Sequence, residues 1–301
     1  MKFIVPRLIF YTKFWLLIAL ILSIFSCNLI NPDEEIPTYF KIPKFEIETN
    51  LSNQGSNSDC ITDVWVNIDG NLQGIYELPA KFPILASGNH EITLRAGIKN
   101  NGIAASRIIY PFYTFFVIDT ILDVDKTMVI EPMSTYKNEC VFIWTEDFEN
   151  SGISLKTTAK SDTSLIINTT EVFEGNNSGA IFLDNSHRLF ECQALDSVFL
   201  PRDNSPIFME MNYKSNLVQA SGSESMFIVG MFITNQQHVV QNPIIYINST
   251  NNEWKKIYID LSQMVIGNFD AKYFHLFIGA SIDQSVNSAE IYIDNLKIIH
   301  F

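Results

Sequence analysis

Glu146, Asp147 and Glu149 follow an apolar run, Val141-Phe142-Ile143-Trp144. Asp147 and Glu149 stand two residues apart, so on a strand they share a face. Two carboxylates facing each other across a cleft can cleave a glycosidic bond, one as acid and one as base or nucleophile. The tighter arrangement of two Glu flanking an Asp at strand spacing is not met. No Gly-x-Ser-x-Gly elbow, His-Glu-x-x-His pair or phosphate-binding glycine loop occurs. Ser87-Gly88-Asn89-His90 reads as one structural turn. The chain is therefore not expected to be an enzyme, and a glycan hydrolase is a distant alternative.

The five histidines, His90, His187, His238, His275 and His300, lack the spacing of a transition-metal site. Of the four cysteines, Cys60, Cys140 and Cys192 lie beyond the N-terminal region. Three cannot all pair; Cys140 with Cys192 is one option, three buried thiols the other. Aromatic side chains outside regular patterning offer a different chemistry. A ring face can stack on a pyranose when polar partners stand beside it. Phe190, Tyr246, Phe269 and Tyr273 read as loop aromatics and are the candidate ligand-binding residues; Trp144 and Trp254 read as packing residues.

The 301 residues carry 20 Lys+Arg against 33 Asp+Glu, a net charge of −13, and 47% are hydrophobic. That balance supports folded cores and excludes a general nucleic-acid binder, which needs a basic surface. Residues 1–26 begin with Lys2, Arg7 and Lys13 and continue as an apolar run from Phe14 to Phe25. The run is too short for a ~20-residue membrane span and reads as a secretory signal. Ile24, Ser26 and Cys27 resemble a bacterial lipobox, as in outer-membrane lipoproteins of Bacteroidota. The resemblance implies that Cys27 carries acyl chains such as palmitate, with Asn28 in place of an inner-membrane retention Asp. Losing residues 1–26 removes three cations and no acid, so −13 becomes −16. The acyl chains, not a basic patch, would hold such a chain on the outer membrane. Residues 27–37 are a polar tether containing Asp33-Glu34-Glu35.

Beyond the tether, apolar residues recur with period two and no convincing helix is found, which predicts an all-β protein. The first domain is assigned to 38–132. Val64, Val66 and Ile68 alternate with Trp65 and Asn67, and Asp69-Gly70 signals a hairpin. Ile92, Leu94, Ala96 and Ile98 alternate with Thr93, Arg95 and Gly97. Residues 133–139 read as a linker and 140–301 as a second domain.

The stretch from Val64 to Gly97, with Asp69-Gly70, Gly74 and Gly88-Asn89-His90, resembles a PEGA-type immunoglobulin-like module. This implies a small β-sandwich and no chemistry. In the second domain, Glu146-Asp147-Phe148-Glu149, Glu174-Gly175 before Ser178-Gly179, Trp254 through Leu261, and Glu290 through Ile298 resemble the jelly-roll sandwich of carbohydrate-binding modules and discoidin-like domains. That resemblance implies that the first and last strands pair. It also implies a structural calcium, for which Glu146, Asp147 and Asp294 are the candidate ligands, with turn-capping acids as the alternative. No other cofactor is implied.

The expected function is that of a lipid-anchored envelope protein acting as a non-catalytic ligand-binding module, with glycan as the leading ligand. The alternative is an assembly subunit of an outer-membrane complex that binds a protein partner. Asp119-Thr120-Ile121 and Asp196-Ser197-Val198 match a short O-glycosylation pattern of Bacteroidota.

Overall fold

The computed structural model describes residues 14–15, 34–218, 224–236 and 238–301. The lipobox and Cys27 lie outside the described residues. The protein is all-β, and its strands form two successive sandwiches. The only helix among the described residues beyond position 33 is Ser262–Gly267, a short turn between strands.

The first sandwich opposes a five-stranded sheet to smaller sheets of three and two strands. Strands Asp63–Ile68 and Asn71–Glu77 form the expected hairpin; Asp69 and Gly70 both take positive φ, 48° and 79°, as a primed turn requires. The long strand Gly88–Lys99 is central and pairs with Arg107–Ile109 and Phe116–Leu122 along its other edge. Its inward residues Ile92, Leu94, Ala96 and Ile98 are buried with Val64, Val66, Phe40 and Ile42. The segment expected to be a linker is structural instead. Met133–Thr135 pairs in parallel with Glu46–Glu48, and Tyr136 is buried. Its brevity and polar composition mask a single buried aromatic anchor.

The second sandwich is a jelly roll of a six-stranded and a five-stranded sheet, with antiparallel pairings throughout. The first strand, Val141–Glu146, pairs with the last, Ser288–His300, which closes the domain. Its core lies between the two sheets and includes Trp144, Phe190, Cys192, Phe227, Phe274 and Ile291.

The two sandwiches share an interface. The outer face of the six-stranded sheet offers Phe208, Tyr258 and Ile299 to the first sandwich's core. The hairpin tip after Lys99 bridges Asn100 to Tyr258, and the Asp260 amide donates to Asn101 Oδ1 at 2.8 Å. The polar loop 50–59 packs here too. Lys297 Nζ donates to the Gln54 carbonyl and Lys256 Nζ to the Ser58 carbonyl, each at 2.5 Å. Ser56 donates to Glu174.

Candidate functional site

With one face of the six-stranded sheet covered by the first sandwich, the outer face of the five-stranded sheet is the jelly roll's other broad surface. It is built from Leu155–Thr157, Leu189–Ala194, Tyr273–Ser281, Met226–Thr234 and Val239–Tyr246, in that lateral order. Strand parity decides what it displays. Phe190, Cys192, Phe227, Val229, Met231, Phe274, Leu276 and Ile278 point into the core. The alternate residues, Glu191, Ile228, Phe232, Tyr273, His275 and Phe277, therefore lie on the outer side.

One end of this face is aromatic. The bridge between Val198 and Phe274 sets Phe199 in register with Tyr273. Phe199 is 66% exposed and Tyr273 37%. Tyr273 meets His275 edge to face at 5.5 Å between ring centres. Burial, reinforced by Lys156, pulls the His275 imidazole below the ordinary histidine range, which favours its neutral form. The Arg202 guanidinium lies 5.5 Å from the Phe199 ring and donates to the Phe269 carbonyl at 2.8 Å. The middle of the face is an apolar floor in which Ile228, Phe232 and Phe277 are themselves buried, with Met226 half-buried against them. Gly230 and Gly279 make that floor possible. A Cβ at Gly230 would collide with the Phe277 ring, and one at Gly279 would come within 3.0 Å of Ile228.

A polar edge flanks the floor. Glu191 accepts the Thr158 hydroxyl at 2.8 Å and the Gln241 amide at 2.7 Å. Lys160 Nζ donates to Gln241 Oε1 at 3.1 Å. The pairing of Ile228 with Tyr246 places Tyr246, 59% exposed, on the same face at the opposite corner from Tyr273. The register separates them by six residues along the strands, on the order of 20 Å.

Three of the four aromatic candidates are therefore accessible, and two share one surface. Phe269, 78% exposed, stands on the loop beyond the short helix, near the Phe199 end. Phe190 requires a correction: it is wholly buried in the jelly-roll core. Leu189–Ala194 is a strand, and Phe190 falls on its inward parity. Phe199 and His275 are the residues that sequence reasoning missed; Phe232 and Phe277 lie on the same outer parity but are buried. The alternation of Tyr273, His275 and Phe277 with Phe274, Leu276 and Ile278 was the available signal.

The calcium trio is not assembled as a ligand set. Among the described residues no group of three or more His, Cys, Asp or Glu is placed to hold a metal ion. The Glu146 carboxylate accepts the Phe148 amide at 2.7 Å and also the Ser154 amide. Asp147 accepts the Glu149 amide. Asp294 is buried and accepts the amides of Phe173, Glu174 and Asn295. Burial outweighs those bonds and pushes its carboxyl up to about 7. The Lys297 side chain lines the cleft shared by Glu146 and Asp147, so a cation is already present there. Glu149 is spent on the amides of Asn176 and Asn177, both 2.8 Å away. Cys60, Cys140 and Cys192 are all free thiols, but only Cys192 is buried; Cys60 and Cys140 are half-buried. Cys192 lies in the jelly-roll core, whereas Cys140 packs at the first sandwich and donates to the Phe112 carbonyl.

No protein-family model matches the chain, and no curated protein matches it. Solved structures similar to it include a family 22 xylan-binding domain from Paenibacillus barcinonensis, 11% identical, covering 53% of this chain and 94% of that one, TM-score 0.38. A family 11 carbohydrate-binding module from Clostridium thermocellum, in complex with a β-1,3-1,4-mixed-linked tetrasaccharide, is 13% identical and covers 51% of this chain and 92% of that one, TM-score 0.33. A structure described as carbohydrate-binding modules from the β-sandwich superfamily is 12% identical, covering 78% of this chain and 84% of that one, TM-score 0.39.

Proposed function

We propose that the protein binds a glycan on the outer face of the jelly roll's five-stranded sheet and performs no chemistry on it. The carrying observation is the in-register pair of exposed rings, Phe199 and Tyr273, on a face that also carries an amide and carboxylate edge. Sugar rings have apolar faces and polar rims, and this surface offers the complement of both. Glu191 stabilises Gln241 and Thr158, so the amide and hydroxyl groups are held in place before a ligand arrives.

We further propose that acylated Cys27 anchors the protein at the outer membrane. This rests on the basic start, the short apolar run and the lipobox resemblance in residues 1–27. Radiolabelled palmitate should enter the wild-type chain and not Cys27→Ala.

The binding reading is tested by affinity electrophoresis of residues 28–301 through gels holding a panel of neutral polysaccharides. Selective retardation by one polysaccharide, competed by its free oligosaccharide, is expected. Unretarded migration across the panel would contradict the reading.

A further inference from the structure

The first sandwich displays a cation, Arg95, with no acidic partner among the described residues, set among exposed rings. Register fixes the arrangement on the outer face of its five-stranded sheet. Ile75 pairs with Trp65 and Trp65 with Arg95. The pairing of Leu94 with Phe116 carries Phe115 alongside Arg95. The next row holds Thr93 opposite Val117. Val64, Val66, Leu94 and Ala96 face the core, so these alternate residues face away from it.

The Arg95 guanidinium lies over the Phe115 ring, 4.6 Å from its centre, and Lys137 Nζ is 5.7 Å from the same ring. The acids one row away, Asp63 and Glu77, are both engaged by Arg107. Glu91 and Asp119 oppose each other in a row four residues further along the strand, ~13 Å from Arg95. Arg95 Nε and Trp65 Nε1 are buried donors with no hydrogen-bond partner among the described residues. Both atoms are shielded from solvent, so what a ligand meets is the remaining guanidinium nitrogens of Arg95 and the exposed rings. Phe115, Val117 and Ile75 around them are 44%, 51% and 44% exposed.

A planar guanidinium fork is matched by a carboxylate, and flat apolar surface is matched by a sugar ring. The chain's −13 charge repels polyanions in general, so attraction of one has to arise from a local arrangement such as this. We propose that Arg95, Trp65 and Phe115 form a second binding site, for a uronic acid residue of an acidic polysaccharide. It uses none of the residues of the jelly-roll face and stands or falls separately from it.

Affinity electrophoresis of residues 28–301 through polygalacturonate tests this, with fully methyl-esterified polygalacturonate and poly-glutamate as comparison gels. Retardation by polygalacturonate alone is expected. Arg95→Gln should weaken it about tenfold or more, as loss of a charge-assisted bond does. Arg95→Lys, which keeps charge without the fork, should fall between. Arg95 makes no ion pair among the described residues, so the unfolding temperatures of these variants should match wild type and serve as the folding control. Free migration through polygalacturonate, undiminished retardation of Arg95→Gln, or equal retardation by the methyl ester or by poly-glutamate would overturn the proposal.

Discussion

The Glu210 carboxylate of the jelly roll accepts the Tyr110 hydroxyl of the first sandwich at 2.7 Å, fully buried between the two domains. The same oxygen accepts Tyr136 at 2.7 Å, and the other carboxylate oxygen pairs with Lys256 at 2.7 Å. Burial raises the Glu210 carboxyl; Lys256 and Lys297 outweigh it and hold it below the ordinary carboxylate range. Burial keeps both tyrosine hydroxyls protonated, as donors. Removing one partner of such a network leaves the other charge buried and alone. Glu210→Ala should therefore cost ~3–5 kcal/mol in chemical denaturation. It should also split the single unfolding transition expected of wild type into two.

Asp294 makes stability depend on pH in a direction opposite to most acids. Its carboxyl sits at about 7 in the fold against 3.8 for the ordinary group. Between those values the folded state binds more protons than the unfolded one, so this residue's contribution declines as pH rises from 4 to 7. Denaturation midpoints measured across that range should fall for wild type relative to Asp294→Asn. A parallel pair of curves would show that Asp294 titrates normally.

Phe190 separates packing from binding. Phe190→Ala should lower stability by ~3–5 kcal/mol through the cavity it leaves, as core Phe truncations do. At a temperature where the variant remains folded, its retardation by the selected glycan should equal that of wild type.

The three cysteines beyond residue 27 should be reducible-agent-insensitive free thiols. Burial pushes Cys140 and Cys192 up to about 12 and raises Cys60 as well. Thiol titration of residues 28–301 should count three groups after denaturation and leave all three slow to react in the native state. A count of one would indicate a disulfide.

The period-two alternation made the all-β class legible, and Asp69-Gly70 located its hairpin to the residue. The resemblance to jelly rolls carried the pairing of Val141–Glu146 with Ser288–His300. The interface was not legible, because its parts look polar and local in sequence. Loop 50–59 is polar in sequence, yet its carbonyls receive Lys256 and Lys297. Tyr136 sits in a stretch that reads as a linker. The binding face was half legible. Tyr246 and Tyr273 stand out in the sequence only as single residues, because their shared surface depends on the lateral strand order, which no local pattern encodes. Phe190 shows the complementary case: a strand of six residues flanked by polar turns resembles a loop in sequence, and its parity turns the ring inward.

The central claim is that the Phe199 and Tyr273 rings bind sugar. The most direct test compares wild type, Phe199→Ala and Tyr273→Ala in one affinity gel containing the polysaccharide that retards wild type. Each lost ring interaction is worth ~0.5–1.5 kcal/mol beyond its buried area, so each variant should bind at least several-fold more weakly and the double variant should migrate freely. Both rings are exposed, so circular dichroism and unfolding temperature should be unchanged. Wild-type retardation in the double variant would contradict the assignment of this face.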